Sequence, residues 1–101
     1  MDRRRFDHLY EELSVTLGEL APRYALWLRI GELGMAPDGL SRSDAVRFCQ
    51  RHLPSFLDEH GLCLAPRQAR RLAVTVERFD PRHLTPYQHM ARLGQPVRRR
   101  P

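Results

Sequence analysis

Residues 67–78 concentrate side chains that bind anions in one short stretch of the chain. The stretch holds four arginines: Arg67, Arg70, Arg71 and Arg78. If it is helical, their spacing places the four guanidinium groups on one face, spread over about 16 Å of the helix axis. A guanidinium group is planar, stays charged and can hold a phosphate or a carboxylate through two parallel hydrogen bonds. The pattern therefore predicts a helix face that binds a polyanion.

The distribution of charge along the chain supports this interpretation. The chain has 101 residues and a formal net charge of +5, and all 17 of its basic side chains are arginine. Residues 1–40 have five arginines against seven acidic residues, residues 41–64 have three of each, and residues 65–101 have nine arginines against two acidic residues. This asymmetry is typical of chains with a polyanionic partner. A solvated basic surface without a partner is the alternative.

The end of the chain adds a second group of arginines, namely Arg98, Arg99 and Arg100. Residues 95–101 have too little apolar content to pack, so we expect a basic tail that is disordered in isolation. On a nucleic acid these arginines are expected to contact the phosphate backbone together with the helical four. If six of them did so, affinity would fall by about a thousandfold between low and moderate salt.

The stretch from Phe56 to Leu72 resembles the helix-turn-helix motif of DNA-binding proteins. Residues 66–72, Pro-Arg-Gln-Ala-Arg-Arg-Leu, are similar to the pattern Gly-Leu-Ser-x-Arg-Gln-Ala-Arg-Arg-Leu of such motifs. The resemblance implies that the second helix enters the major groove. The chain departs from the motif in two places, because the turn is about two residues longer and Leu57 replaces a small residue. Both departures weigh against a close crossing of the two helices.

Two pairs of side chains have the composition of a zinc site. Cys49-x-x-His52 and His60-x-x-Cys63 supply two thiols and two imidazoles, which is a common ligand set of tetrahedral zinc. In one continuous helix the pairs would be about 16 Å apart, whereas zinc needs all four donors within about 2.3 Å. Cys49 also lies in an apolar helical stripe, which favours a buried thiol. We expect no metal and no other cofactor.

Catalytic patterns are not apparent. The five histidines are scattered, the adjacent acidic pairs point in different directions on helices, and the six glycines are isolated. We therefore expect no enzymatic activity. The chain has no apolar run of about 18 residues and no secretory leader, so we expect a cytoplasmic protein without a membrane partner.

Residues 24–33 are apolar on most sides of the helix that they are predicted to form. Such a helix is either central to the core or part of a protein interface. Tyr24 and Trp27 are the candidate protein-interface residues, because aromatic side chains anchor many interfaces. Aromatic residues at helical spacing are, however, more often core.

Periodicity and helix-end signals predict the elements that position these side chains. Residues 3–20 and 22–34 are expected to be helical, a third helix should start after Ser41 and end at Gly61, and Pro54 should kink or split it. A fourth should start at Pro66 and stop at Asp80–Pro81, and a short fifth should cover 85–94. The sequence predicts an all-α bundle of four helices plus a short fifth, with one domain at 1–94 and a flexible basic tail at 95–101.

Together these patterns predict a small non-catalytic accessory protein that binds nucleic acid, either DNA or RNA, as one subunit of a larger assembly. The alternative is an adaptor or inhibitor that docks on an acidic protein partner through the apolar second helix and the arginine face.

Overall fold

The regular elements within residues 3–81 are all helical. The computed structural model describes residues 3–81. In chain order the elements are α1 (Arg4–Leu17), α2 (Arg23–Glu32), a 3-10 turn (Pro37–Gly39), α3 (Arg42–Arg47), a π-helical turn (Phe48–His52), α4 (Leu53–Glu59) and α5 (Pro66–Arg78). The predicted all-α helical class is confirmed. The predicted fifth helix at 85–94 and the tail at 95–101, with Arg98, Arg99 and Arg100, lie outside the described residues.

The core forms where α1, α3 and α5 pack against one another. The π-helical turn also contacts α5, whereas α2 packs against α1 and the 3-10 turn at the side of the bundle. The largest side chains that are fully buried come from every α-helix except the short α3: Phe6, Leu9, Leu13, Leu26, Ile30, Phe48, Leu53, Phe56, Leu72 and Val76. Of these, only Phe48 comes from the π-helical turn. Each such side chain contributes about 1.5–3 kcal/mol when it leaves water.

The end of α1 differs from the prediction. The helix ends at Leu17 and not at residue 20, because Gly18 takes a left-handed conformation with φ of +80°. The Gly18 N–H donates to the carbonyl of Ser14 over 2.9 Å, which closes the last turn. Glycine adopts this conformation without a steric cost and is the usual residue at such ends. Leu20, the last residue of the predicted helix, consequently lies outside α1 and is 79 % exposed.

The predicted kink at Pro54 is accommodated by the π-helical turn. Proline has no N–H, so Pro54 cannot donate to the carbonyl four residues earlier, and its ring clashes with that carbonyl in a regular α-helix. The N–H of Leu53 donates instead to the carbonyl of Phe48, five residues earlier. The wider turn lets α3 and α4 continue as one bent helix, and the rings of Phe48 and Phe56 meet edge to face at 6.2 Å.

Both ends of this bent helix follow the sequence signals. At its start, the Ser41 hydroxyl accepts a hydrogen bond of 3.0 Å from the Asp44 N–H. At its end, Gly61 has a φ of +69°, and the Leu62 N–H donates to the carbonyl of Leu57 over 2.8 Å. These caps satisfy backbone groups that the helix itself leaves without partners.

The segment after α5 is fastened to the start of α1. Arg4 donates to the carbonyl of Pro81 over 3.1 Å, and Arg5 donates to the carbonyl of Phe79 over 3.2 Å. The ring of Phe79 stacks on the imidazole of His8, with 4.1 Å between the centroids and 17° between the planes. The end of α5 therefore lies beside the N-terminal arginines.

His8 is buried in this junction without full hydrogen bonding. It is 5 % exposed, and its Nδ1 atom has no hydrogen-bond partner. Burial and, to a lesser extent, the Arg5 guanidinium lower the pKa of His8 from 6.5 to about 4. Glu12 lies 3.9 Å from the His8 Nε2 atom, and burial raises the pKa of Glu12. His8 is thus an uncharged ring at neutral pH that packs as an aromatic residue.

This burial predicts an acid-sensitive fold. Between pH 6.5 and about 4 the unfolded chain carries a proton on His8 and the folded chain does not, so stability falls as the pH falls through that window. The complete loss attributable to His8 is about 3 kcal/mol. In a His8→Phe variant, which keeps the ring but cannot titrate, the melting temperature should change less between pH 7 and pH 4 than in wild type.

His60→Phe, at an exposed position, is the control for introducing a phenylalanine. Melting curves that respond to acid equally in wild type and in His8→Phe would contradict the assignment.

Candidate nucleic-acid interface

The arginine face depends on the way α5 begins and packs. Pro66 is the first helical residue, and the Gln68 side chain accepts a hydrogen bond of 2.9 Å from the Ala65 N–H. Proline and a glutamine two residues further along are favourable at a helix start, because they suit backbone groups that lack partners inside the helix. Leu72 and Val76 are almost completely buried against the core. The two buried side chains fix which side of α5 faces solvent.

All four predicted arginines, Arg67, Arg70, Arg71 and Arg78, are exposed. None of them forms an ion pair with an acidic side chain among residues 3–81. Their charge is therefore not neutralised inside the described part of the molecule. The structure brings these four together on one helix face, as the spacing predicts.

Other arginines form ion pairs with acidic side chains elsewhere in the bundle. Arg23 pairs with Asp7 over 2.7 Å, and Arg29 contacts both Glu59 and, over 3.3 Å, Glu32. The contacts with Glu59 and Glu32 raise the pKa of Arg29, so it stays charged at every ordinary pH. These pairs link α2 to α1 and to α4. The arginines of α5 lie apart from this network.

Val74 lies within the arginine face and is 44 % exposed. The sequence places it there as the only apolar residue among the arginines, and the structure agrees. Its neighbours one turn away along the helix are Arg70, Arg71 and Arg78. The face therefore combines a small apolar centre with cationic groups around it, which suits a ligand with both charge and apolar surface.

The resemblance to a helix-turn-helix does not extend to the packing of its two helices. The helix that precedes α5 is α4, but α5 packs mainly against α1, α3 and the π-helical turn. A cavity of about 140 Å³ lies between α4, the connecting loop and the start of α5, and Leu57, Leu62 and Ala69 line it. The long turn and the bulky Leu57 are the two departures from the motif, and both are found at this gap.

The two cysteines have different surroundings. Cys49 is buried in the core, and burial raises the pKa of its thiol to about 12, whereas Cys63 is exposed. Within residues 3–81, no group of three or more histidine, cysteine or acidic side chains is arranged to hold a metal ion. The Cys49–His52 and His60–Cys63 pairs are not brought together there.

This difference predicts unequal thiol reactivity. Thiolates are the reactive species, so Cys63 should react with a thiol-specific reagent in the native protein, and Cys49 should react only after unfolding. Counting modified thiols by mass spectrometry before and after denaturation measures this directly. A Cys63→Ser variant should lose the reaction of the native state. Two thiols that react at the same rate in native protein would show that Cys49 is not enclosed.

The two candidate protein-interface residues differ in their contacts. Trp27 is half-buried, and its ring meets the fully buried Phe6 edge to face at 4.9 Å, so it belongs partly to the core. Tyr24 is 74 % exposed, and Leu28, one turn further along α2, is 45 % exposed. Tyr24 and Trp27 line a shallow pocket of about 350 Å³ together with Arg3 and Arg23. The apolar surface of α2 is therefore carried by Tyr24 and Leu28 more than by Trp27.

Sequence periodicity does not single out the arginines of α3 and of the π-helical turn. Arg42, Arg47 and Arg51 line an open groove of about 650 Å³ that also reaches Glu77 of α5. Their spacing of five and four residues gives no stripe in a regular helix of 3.6 residues per turn. This group of arginines becomes apparent only from the packing of α3 and the π-helical turn on α5.

The chain has no match among the known proteins with which it was compared. No protein-family model, no curated protein and no solved structure matches the chain. Within residues 3–81, none of the helices combines the length and apolarity that a bilayer crossing requires.

Proposed function

We propose that the chain is a small non-catalytic accessory protein that binds DNA or RNA through the phosphate backbone. The observation that carries this proposal is the arginine face of α5, where four exposed guanidinium groups lack acidic partners among residues 3–81. A buried or ion-paired guanidinium group has few N–H donors available to a ligand, whereas these four retain their charge and their hydrogen-bond donors.

The spacing of the arginines suits a phosphate backbone. The face extends for about 16 Å, and one strand of a duplex carries a phosphate about every 3.4 Å, so about five phosphates lie within its reach. Each contact releases condensed counterions, which makes association favourable at low salt. The predicted tail residues Arg98, Arg99 and Arg100 would extend the same contact along the strand.

We expect little discrimination between sequences. Arginines that contact phosphates fix position and orientation but do not read base edges. The exposed face of α5 offers Val74 as its only apolar group, and its arginines lie on a helix that is held flat against the core. The protein therefore fits a role as a subunit that coats or clamps nucleic acid within a larger assembly, by analogy with other small basic helical subunits.

The proposal predicts a steep and localised loss of affinity. Replacing Arg67, Arg70, Arg71 and Arg78 together by alanine should weaken binding of a labelled oligonucleotide by about a hundredfold or more at low salt. The slope of log affinity against log salt should become shallower by about 0.7–0.9 for each phosphate contact that is removed. Fluorescence anisotropy over a salt series measures both quantities. An Arg98→Gln, Arg99→Gln, Arg100→Gln variant measures the contribution of the tail separately.

A control is needed for the change in net charge. The pair Arg67→Gln and Arg71→Gln lowers the charge by as much as the pair Arg3→Gln and Arg23→Gln, which lies at the N-terminal ends of α1 and α2. The first pair should cost much more affinity than the second. Equal affinities of wild type and the α5 variants, or binding that ignores salt, would refute the proposal.

A second candidate function rests on the apolar surface of α2. Tyr24 and Leu28 are more exposed than most large apolar side chains, and such a patch often marks a protein interface. The protein would then be an adaptor or inhibitor that docks on an acidic protein, with the patch as anchor and arginines around it. A partner that survives nuclease treatment and is lost from a Tyr24→Ser, Leu28→Ser variant would favour this function over the first.

A further inference from the structure

An open groove runs along the contact between α3 and α5. Its wider part, about 650 Å³, is lined on the α3 side by Arg42, Val46, Arg47 and Arg51 and reaches Glu77 of α5. A neighbouring part, about 400 Å³, is lined by Arg70 and Val74 of α5. Gln50 and Glu77 line both parts, so the two adjoin each other. We refer to the whole as the α3–α5 groove.

The charge of the groove is predominantly positive. Arg42 and Arg51 are exposed and form no ion pair with an acidic side chain among residues 3–81, as is also true of Arg70. Arg47 is partly neutralised, because it pairs with Asp44 over 3.0 Å. Glu77 is the one acidic side chain that lines both parts. Arginines therefore line the α3 side of the wider part, and Arg70 lines the α5 side of the neighbouring part. A concave surface with charges of one sign concentrates the field there.

The π-helical turn contributes to this arrangement. The turn spans Phe48–His52, so Gln50 and Arg51 both belong to it. Arg51 lies four residues after Arg47 and therefore on the same side of the bent helix. Both side chains line the wider part of the groove.

We propose that the α3–α5 groove holds one strand of a single-stranded nucleic acid. Arg42 and Arg51 contact its phosphates from the α3 side and Arg70 contacts them from the α5 side, while Val46 and Val74 provide apolar contact. This inference rests on the proposed function and adds to it a second bank of residues and a class of ligand.

The shape of the groove favours a single strand. It is a concave surface between two helices that pack directly on each other. One sugar-phosphate backbone can lie along it, with α3 on one side and α5 on the other. Gln50 and Glu77 add hydrogen-bonding groups at its centre. Unpaired bases can reach such groups with edges that are occupied in a duplex.

Replacement of Glu77 tests the proposal through an increase in affinity, where the arginine variants test it through a decrease. A carboxylate beside the strand repels phosphates, so Glu77→Gln should strengthen binding by about threefold at low salt. Glu19→Gln changes the net charge by the same amount at an exposed position in the turn after α1. That control should leave the affinity nearly unchanged.

The experiment measures binding of a labelled single strand of about 12 nucleotides, and of the duplex of equal length, to the full chain. Arg42→Gln with Arg51→Gln should weaken single-strand binding by about tenfold and reduce the salt slope by about 1.4. Arg3→Gln with Arg23→Gln is the control of equal charge. Circular dichroism melts establish that each variant is folded. This is expected because the changed residues are exposed and the one ion pair lost within residues 3–81, Arg23 with Asp7, is solvent-exposed and contributes little to stability.

The outcomes separate this inference from the proposed function. If Arg67→Gln with Arg71→Gln loses affinity while the α3 pair binds like its control, the groove is not the path, but the proposed function stands. If neither pair loses affinity, both are overturned. Tighter binding of the duplex, or equal competition by a polyglutamate of the same charge, overturns the assignment of a single-stranded nucleic acid. Weakening by the α3 pair together with strengthening by Glu77→Gln supports it.

Discussion

Leu72 and Val76 project from α5 into the space bounded by α1 and α3, and they lose almost all contact with water there. Burial of these two side chains contributes about 3–6 kcal/mol, which is comparable with the whole stability of a small domain. The helix cannot rotate about its axis without giving up that burial. Since the arginines of α5 occupy the other side, the same packing that stabilises the fold holds four cations in solvent.

Acidic side chains of α1, α2 and α4 are paired with arginines of α2, and this affects the charge around α5. Asp7, Glu32 and Glu59 are used in pairs with Arg23 and Arg29. These pairs are exposed or half-exposed and each contributes at most about 1 kcal/mol to stability, but they occupy acidic groups that could otherwise approach α5. The arginine face is therefore positive for two reasons: α5 carries its arginines there, and these acidic side chains are paired with other arginines.

The junction between the two ends of the described chain limits the movement of α5. Arg4 and Arg5 bind carbonyls of the segment after α5, and the stack of Phe79 on His8 buries a histidine in its neutral form. A charged His8 would have to be stripped of water in this place, which costs several kcal/mol. The arrangement holds at neutral pH because the ring behaves as an aromatic side chain.

Much of the arginine face was predictable from sequence because α5 has a strong amphipathic period and clear end signals at Pro66 and Asp80. The caps at Ser41 and Gly61 were predictable for the same reason, since each residue type has a specific role at a helix end. The end of α1 was not predictable, because Leu20, beyond Gly18, continues the helical spacing while the glycine stops the helix.

The groove depends on information that no local pattern contains. Arg42 and Arg51 are nine residues apart and form no stripe in a regular helix, so they line one groove beside α5 only through tertiary packing. The burial of His8 is similar, because its partner Phe79 is distant in sequence and approaches only when α5 closes on α1. Periodicity identifies the faces of helices, but not which faces meet.

The central claim is that guanidinium groups of α5 bind the phosphates of a nucleic acid. NMR observation of the arginine Nε–Hε signals during titration with an oligonucleotide tests it most directly. The account predicts that the signals of Arg67, Arg70, Arg71 and Arg78 shift in proportion to the bound fraction and return to their original positions at high salt. Unmoved signals for these four, with changes confined to the Trp27 indole and to α2, would contradict it.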